Sequence, residues 1–341
     1  MKVDRALDVG GPLDPRDEAA HAERAGYDGF WLSELTHDPF LGLALAATAT
    51  ERVDLGTSIA LAFARNPMST AVLANDLQAL SRGRLQLGLG TQVKAHVTRR
   101  FGMPWSRPAA RMREYLLAMR AIWDAWQTGS RLDFRGEFYT HTLMTPMFTP
   151  PPHGYGPPQV LLAGVGTGIT EVAGEVADGF VAHPFTTVRY LHEVTLPALN
   201  RGRHKTRRTG DDFQICGLPF VVTGRTGEEV TASAHAVRSR IAFYGSTPAY
   251  RGVLELHGWG ALGDELHALS LARRWAEMGE QITDEVLHAF AVVGGPAEVP
   301  GELLRRYGDV FTRVTLDTPY PIARDLADEL AAAVRSASGE W

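Results

Sequence analysis

Between Arg52 and Gln92 the chain reads RVDLGTSIALAFARNPMSTAVLANDLQALSRGRLQLGLGTQ, a strand, a loop, a helix and a second strand. Val53–Ser58 is a short apolar strand that runs into a loop over Ser58–Arg65. Asn66 then offers a helix cap, and Pro67 suits the first helical position because its missing N–H would have no partner there. Met68, Val72, Leu73, Leu77 and Leu80 recur at helical spacing. The turn Ser81-Arg82-Gly83 ends the helix, and Arg84–Leu89 follows as a strand, with Leu85, Leu87 and Leu89 alternating against Gln86, Gly88 and Gly90. Such a unit requires two parallel strands joined by a right-handed crossover. The loops after Ser58 and after Gly90 therefore leave the same edge of the sheet, and chemistry is expected there.

The alternation recurs along the whole chain. Lys2–Val9, Asp28–Leu32, Val53–Ser58, Arg84–Leu89, Val160–Ala163, Gly179–His183, Phe213–Thr223 and Ala289–Val293 read in turn as eight strands, and Val310–Leu316 as a further extended segment. Helices are expected from Asp14-Pro15 to Gly26, over Phe40–Thr50, and from Pro108 to Gly129. In the last of these Met112, Tyr115, Leu116, Met119, Ile122, Trp123 and Trp126 share one face. Others are expected over Ile169–Ala177, after His183 to Asn200, through most of Gly227–Gly279, and over Pro296–Tyr307 and Ile322–Val334. This pattern argues for a single-domain α/β chain folded as a (β/α)8 TIM barrel, with a doubly wound parallel sheet as the competing arrangement. Arg131–Thr142 reads as a small hairpin outside the main sheet, and Thr145–Pro158 as a proline-rich stretch bordering the active site. Residues 131–158 and 244–279 are thus expected as insertions that cover the site.

The net charge of −5 implies no general attraction to nucleic acid or to an anionic membrane. The basic cluster Arg201–Arg208 has no interleaved aromatic residues and reads as a solvated turn. Cys216 is the single cysteine, which excludes an internal disulfide and suits a reducing compartment. The beginning MKVDRALDVG has no apolar core of a signal peptide. The longest apolar run, Phe40–Ala49, is half of the roughly 20 residues a membrane helix needs. The expectation is a cytoplasmic protein that works on a small molecule, with neither nucleic acid nor membrane as partner.

In a barrel the loops after the strands share the C-terminal face. Ser33–Asp38, Ser58–Arg65, Thr91–Arg100, Gly164–Gly168 and His183–Thr186 are rich in polar residues or glycine. Gly164-Val165-Gly166-Thr167-Gly168 leads from a strand into a helix, where backbone N–H groups and the helix dipole favour an anion such as phosphate. A tight strand-to-helix turn explains these glycines equally well. They do not form G-x-G-x-x-G, since position 169 is Ile, and Gly88-Leu89-Gly90 fails likewise at Val93. His37, His96 and His183 fall in these loops, and a histidine titrates near neutral pH. Each alone is more simply a loop histidine, but three are expected on one face. No metal-ligand spacing and no G-x-S-x-G elbow occurs.

The segments RAGYDGFWLSEL, DPFLGLALAA, RVDLGTSIA, RNPMSTA, LSRGRLQLGLGTQ, RFGMPWSRPAARMREYLLAMRAIW, PPQVLLAGVG and EVADGFVAHPF together resemble the bacterial luciferase-like monooxygenase superfamily. Within it they are most similar to oxidoreductases that use the deazaflavin coenzyme F420. The resemblance runs from about Val3 to about Ala323. It implies a (β/α)8 barrel with insertions and a non-prolyl cis peptide at Ser58–Ile59 behind the cofactor ring. It implies Glu34 as the acidic residue near the ring, Thr91 and Gln92 as a border of the cofactor, and Gly164, Val165, Gly166 and Thr167 as the phosphate-side loop. Many F420-using members carry a histidine directly after the acidic residue, where this chain has Leu35. The expected catalytic pair is therefore His37, held by Glu34, with His96 and His183 as reserves lining the substrate pocket. The implied activity is hydride transfer between coenzyme F420 and a small organic substrate. The alternatives are an FMN-dependent monooxygenase and a non-catalytic flavin- or deazaflavin-binding protein. Family analogy implies a homodimer formed through Phe40–Ala49 and Met68–Leu80.

Overall fold

The structure, a computed structural model, describes residues 1–7, 11–207 and 212–339. Asp8 and Val9 of the expected first strand and Arg208 of the basic turn lie outside the described residues. The ring strands are β1 (Lys2–Leu7), β2 (Gly29–Leu32), β3 (Asp54–Thr57), β4 (Leu85–Gly90), β5 (Gln159–Gly164), β6 (Gly179–Ala182), β7 (Gln214–Gly217) and β8 (Arg313–Thr315). Each runs parallel to the next, and β8 pairs with β1. A closed ring has no free edge, and this closure excludes the doubly wound alternative.

One strand of the sequence reading is corrected. Ala291–Val293, expected as the eighth strand, is not in the ring; it pairs in parallel with Phe220–Val222. The ring closes with β8, inside the segment read only as extended. The expected seventh strand is broken at Leu218-Pro219, so its first half stays in the barrel and its second half leaves with Ala291–Val293. Phe220–Val222 is fully buried, and Ala291–Val293, like β8, is buried except at its last residue, so burial does not tell a ring strand from one beside it.

The helices on the outside start where local chemistry directs them. α1 (Arg16–Arg24) begins as the Asp14 carboxylate accepts from the Arg16 N–H. α2 (Pro39–Ala49) has Asp38 as its cap, accepting from the Phe40 N–H, with Pro39 first. α3 (Pro67–Leu80) is capped by Asn66, accepting from the Ser69 N–H. α4 (Pro108–Thr128) stops at Gly129, whose φ of 70° is left-handed. α5 (Thr167–Val176) crosses the helix Leu196–Lys205 at close range. A Cβ on Gly174 would stand 2.1 Å from the Leu199 carbonyl oxygen, and one on Gly202 2.0 Å from that of Glu171. The hairpin is small and separate, with Phe134–Arg135 against Thr140–His141. Beyond it the chain turns away from the C-terminal face: His153 bonds to Asn75, and Tyr155 packs on Gly83, in the turn that precedes β4.

The barrel interior is layered. At the N-terminal end the Arg313 guanidinium, 1% exposed, forks onto both Asp4 oxygens at 2.7 Å and reaches Asp54 at 2.9 Å and Gln214 at 3.3 Å. Trp31, Leu161, Val181 and Cys216 form an apolar layer above it, and the smaller Ala6 and Ala163, with Leu218, lie against that layer. Burial pushes the Cys216 thiol up to about 12, so it stays protonated. Five helices between Gly227 and Phe290 build a second core around Val237, Ile241, Leu254, Leu266 and Phe290, entered through a Thr226–Glu229 capping box. Among the described residues no helix is long and apolar enough to cross a membrane.

Replacing Arg313 with Leu strands the buried Asp4 carboxylate in the barrel floor, while Asp54 keeps Lys2 at 3.1 Å. A loss of about 3–5 kcal/mol is expected in urea unfolding. An Asp4→Leu/Arg313→Met double variant is expected to recover much of it, because no unpaired charge then remains at Asp4.

Candidate active site at the barrel mouth

The C-terminal face is organised by the end of β3. The Thr57 hydroxyl donates to the Gly88 carbonyl at 2.6 Å, the Ser58–Ile59 peptide is cis, and Ala60–Leu61 then pairs alongside Leu89 and Gly90. The two glycines of β4 make the seat for this bulge. A Cβ on Gly88 would stand 1.9 Å from the Thr57 carbonyl oxygen, and one on Gly90 2.1 Å from Ile59 Cδ1. The Leu-Gly-Leu-Gly alternation thus has a packing reason. It leaves Ser58 and Ile59 partly exposed as an apolar shelf at the mouth.

The loop after β2 is tied onto that bulge. Ser33 donates to the Ser58 carbonyl at 2.7 Å, and the Glu34 N–H to that of Ile59 at 3.2 Å. Glu34 Oε2 accepts from the Leu61 N–H and from Arg65, both at 2.7 Å. Arg65 also donates to Asp38 at 2.7 Å and lies 5.2 Å over the Phe40 ring. Burial opposes the Arg65 charge, but Glu34 and Asp38 outweigh it and raise its pKa. From the next loop Arg100 donates to the Leu35 carbonyl at 2.8 Å. Two arginines therefore fix the shape of Ser33–Asp38 from outside it.

The expectation that Glu34 holds His37 is corrected here. Glu34 is bonded to Arg65 and Leu61, and His37 is exposed three residues further along the loop. Thr91 and Gln92 follow β4 at the mouth. Gln92 is left-handed at φ 59°, with its side-chain oxygen accepting from the Val93 N–H at 2.8 Å. His96 is exposed on the single π-helical turn that follows.

Gly164, Val165, Gly166 and Thr167 join β5 to α5. No side chain caps α5, and a Cβ on Gly166 would meet nothing within 4 Å, so the start of the helix is uncapped with open space beside Gly166. That is a cradle for an anion. His183 follows β6 directly. The Phe185 N–H donates to its Nδ1 at 3.0 Å, and its ring lies 4.7 Å from those of Tyr244 and Tyr250. Burial pushes this imidazole down to about 3, so it is neutral near pH 7. The mouth therefore brings together Glu34, the Ser58–Ile59 shelf, Thr91, Gln92, the glycine cradle and His183, with His37 and His96 at its solvent rim. Sequence reasoning missed Arg65, Arg100, Tyr244 and Tyr250. The only signals were positional: Arg65 ends the bulge loop, Arg100 ends the polar loop after β4, and Tyr244 and Tyr250 fall at the start of the 244–279 segment expected to cover the site. Among the described residues no group of three or more His, Cys, Asp or Glu could hold a metal ion.

A parallel barrel with an apolar shelf and an open helix N-terminus at one mouth defines a (β/α)8-barrel enzyme. A family profile described as luciferase-like monooxygenase matches residues 9–313. The chain is 54% identical over 298 residues to an uncharacterised protein of Mycobacterium tuberculosis (strain H37Rv), covering 87% of this chain and 88% of that one. It is 30% identical over 314 residues to a putative coenzyme F420-dependent oxidoreductase of the same strain, covering 86% and 88%. In fold it matches the coenzyme F420 dependent tetrahydromethanopterin reductase of Methanopyrus kandleri, with a TM-score of 0.79, 19% identity and 99% of each chain covered. The chain belongs to the luciferase-like monooxygenase family of enzymes and groups with its F420-dependent oxidoreductases.

The neutral state of His183 carries a pH signature. Its folded pKa of about 3 lies below the unfolded value near 6.5, so the unfolded chain binds the extra proton first. The His183 contribution to stability is complete above about pH 6.5 and is lost progressively as the pH falls towards 3. The urea midpoint of His183→Phe is expected to drop less between pH 7 and pH 5 than that of the native protein. Equal drops would contradict a neutral His183.

Proposed function

We propose that the protein is an oxidoreductase that transfers a hydride between coenzyme F420 and a small organic substrate at the barrel mouth. The observation that carries this reading is the pairing, on one face, of the Ser58–Ile59 shelf with the uncapped N-terminus of α5. A flat ring with a phosphate-bearing tail fits that pair, and the open space at Gly166 leaves room for the tail. Ser58 and Ile59 would back the ring, Thr91 and Gln92 border it, and the N–H groups of Gly164, Val165, Gly166 and Thr167 hold the phosphate. Bound there, the deazaflavin would supply a two-electron hydride donor or acceptor. Glu34, held by Arg65 and the Leu61 N–H, would present a fixed carboxylate beside the ring.

The proton that accompanies the hydride needs an ionisable group that meets solvent. His183 is half-buried and neutral, whereas His37 is exposed at the rim and is the residue assigned to the transfer. Tyr244 and Tyr250 would roof the His183 side and limit water there. A second reading is an FMN-dependent monooxygenase on the same barrel, since the shelf and the uncapped helix N-terminus would suit a flavin with a phosphate tail as well. Leu41, Val72 and Leu80, exposed on α2 and α3, support pairing of two copies through these helices.

Titration of the purified protein with F420 and, separately, FMN tests the cofactor. Tight binding of F420 and weak binding of FMN are expected, and the reverse preference would replace this reading with the second. His37→Ala is expected to lower kcat by about 10²–10⁴ with F420 affinity unchanged. Unaltered turnover in that variant would remove His37 from the chemistry.

A further inference from the structure

We propose that the substrate side of this mouth is built for an uncharged carbonyl compound, or the alcohol it becomes, and that His183 recognises its oxygen as a neutral hydrogen-bond donor. This rests on the hydride-transfer reading and adds the class of substrate to it. His183 stands next to the glycine cradle, since Ala182 of β6 pairs with Gly164 of β5. Its tautomer follows from its neighbour. Because the Phe185 N–H donates to Nδ1, the ring proton must be on Nε2, which among the described residues has no hydrogen-bonding partner. The ring cannot easily swing away: Tyr244 meets it edge-on at 77° and Tyr250 at 50°. Phe185 behind it is fully buried and stacks on Phe290 at 4.7 Å.

The walls of this corner carry no formal charge. Burial alone accounts for the shift of His183, with no charged side chain acting on it. Four arginines in and beside the helical roof are engaged elsewhere. Arg225 pairs with Asp325 and Glu329, Arg238 with Asp284, Arg251 with Glu255 and Asp264, and Arg274 with Glu277. Arg240 leans on the Tyr244 ring, 5.9 Å from its centre. Across the mouth Arg65 is held by Glu34 and Asp38. A phosphate or carboxylate brought against His183 would lose its hydration without gaining a counter-charge. A carbonyl or hydroxyl oxygen needs only one donor, and Nε2–H provides it.

In the reductive direction the carbonyl carbon takes the hydride with its electron pair, and the oxygen takes a proton by way of His37. The product is the alcohol, and reduced F420 is oxidised by two electrons. The oxidative direction reverses each step. His183 keeps its Nε2 proton throughout, so it is a specificity-determining residue and not the acid.

The test uses the F420-loaded protein with 15N-labelled histidine, read by long-range 1H–15N NMR. His183 is expected to show the Nε2–H tautomer unchanged from pH 5 to pH 8. Cyclohexanone is expected to shift its Nε2 signal, while inorganic phosphate and glucose 6-phosphate leave it in place. His183→Phe is expected to lower kcat/KM for cyclohexanone about tenfold with F420 affinity unchanged, and His183→Gln to restore most of it. A shift with phosphate, no shift with cyclohexanone, or a His183→Phe variant that weakens F420 binding would each overturn the proposal. Failure of the F420 titration is a separate result and would remove the hydride-transfer reading itself.

Discussion

The cation in the barrel floor is the constraint on which the ring depends. Arg313 lies on the last strand, its two 2.7 Å bonds reach Asp4 on the first, and its other contacts reach Asp54 on the third and Gln214 on the seventh. Closing a sheet demands one register between its first and last members, and here the demand is met by one buried guanidinium. Such a cluster adds little net stability compared with a well-packed apolar floor, because desolvating the charges offsets their attraction. Its value is geometric. A shift of β8 by one residue would take Arg313 off both carboxylates and turn its side chain to the outer face. The mouth is at the other end of these same strands, so the floor sets the positions of the loops above it.

From that register follows the bulge. β3 can carry an extra kink after Thr57 only because β4 offers no side chain at Gly88 and Gly90, and Ile59 falls into the space so left. The loop after β2 then closes over the bulge through Ser33 and Glu34, and Arg65 draws Glu34 and Asp38 together from the opposite side. Shelf and carboxylate are thus one assembly. Glu34 is fixed in place by a backbone N–H and an arginine.

How much of this the sequence disclosed depended on the range of the signal. Local chemistry was legible: Asn66-Pro67 starts α3, Gly129 ends α4, and Gly164–Thr167 leads into α5 without a side-chain cap. The parallel order of the early strands followed from their crossovers. The closing strand was misread because Ala291–Val293 is as apolar as a ring strand, whereas β8 begins with an arginine, which hydrophobic pattern counts against burial. Arg65, Tyr244 and Tyr250 were not legible. Each acts on a residue far away in the chain, Arg65 on Glu34 and the tyrosines on His183, and no spacing in the sequence encodes such a meeting.

The histidines show how environment divides one residue type into several roles. In the sequence His37, His96 and His183 were equivalent, each a titratable ring in a loop on the same face. In the fold His37 and His96 are exposed, while His183 is half-buried against two tyrosines and loses its Nδ1 lone pair to a backbone N–H. An imidazole that exchanges protons with water serves proton transfer; one held neutral serves orientation. On the proposed reading, a leucine at position 35 would not leave the mouth without a proton carrier: the two tasks would be separated, with the proton at the rim and the hydrogen bond at the wall.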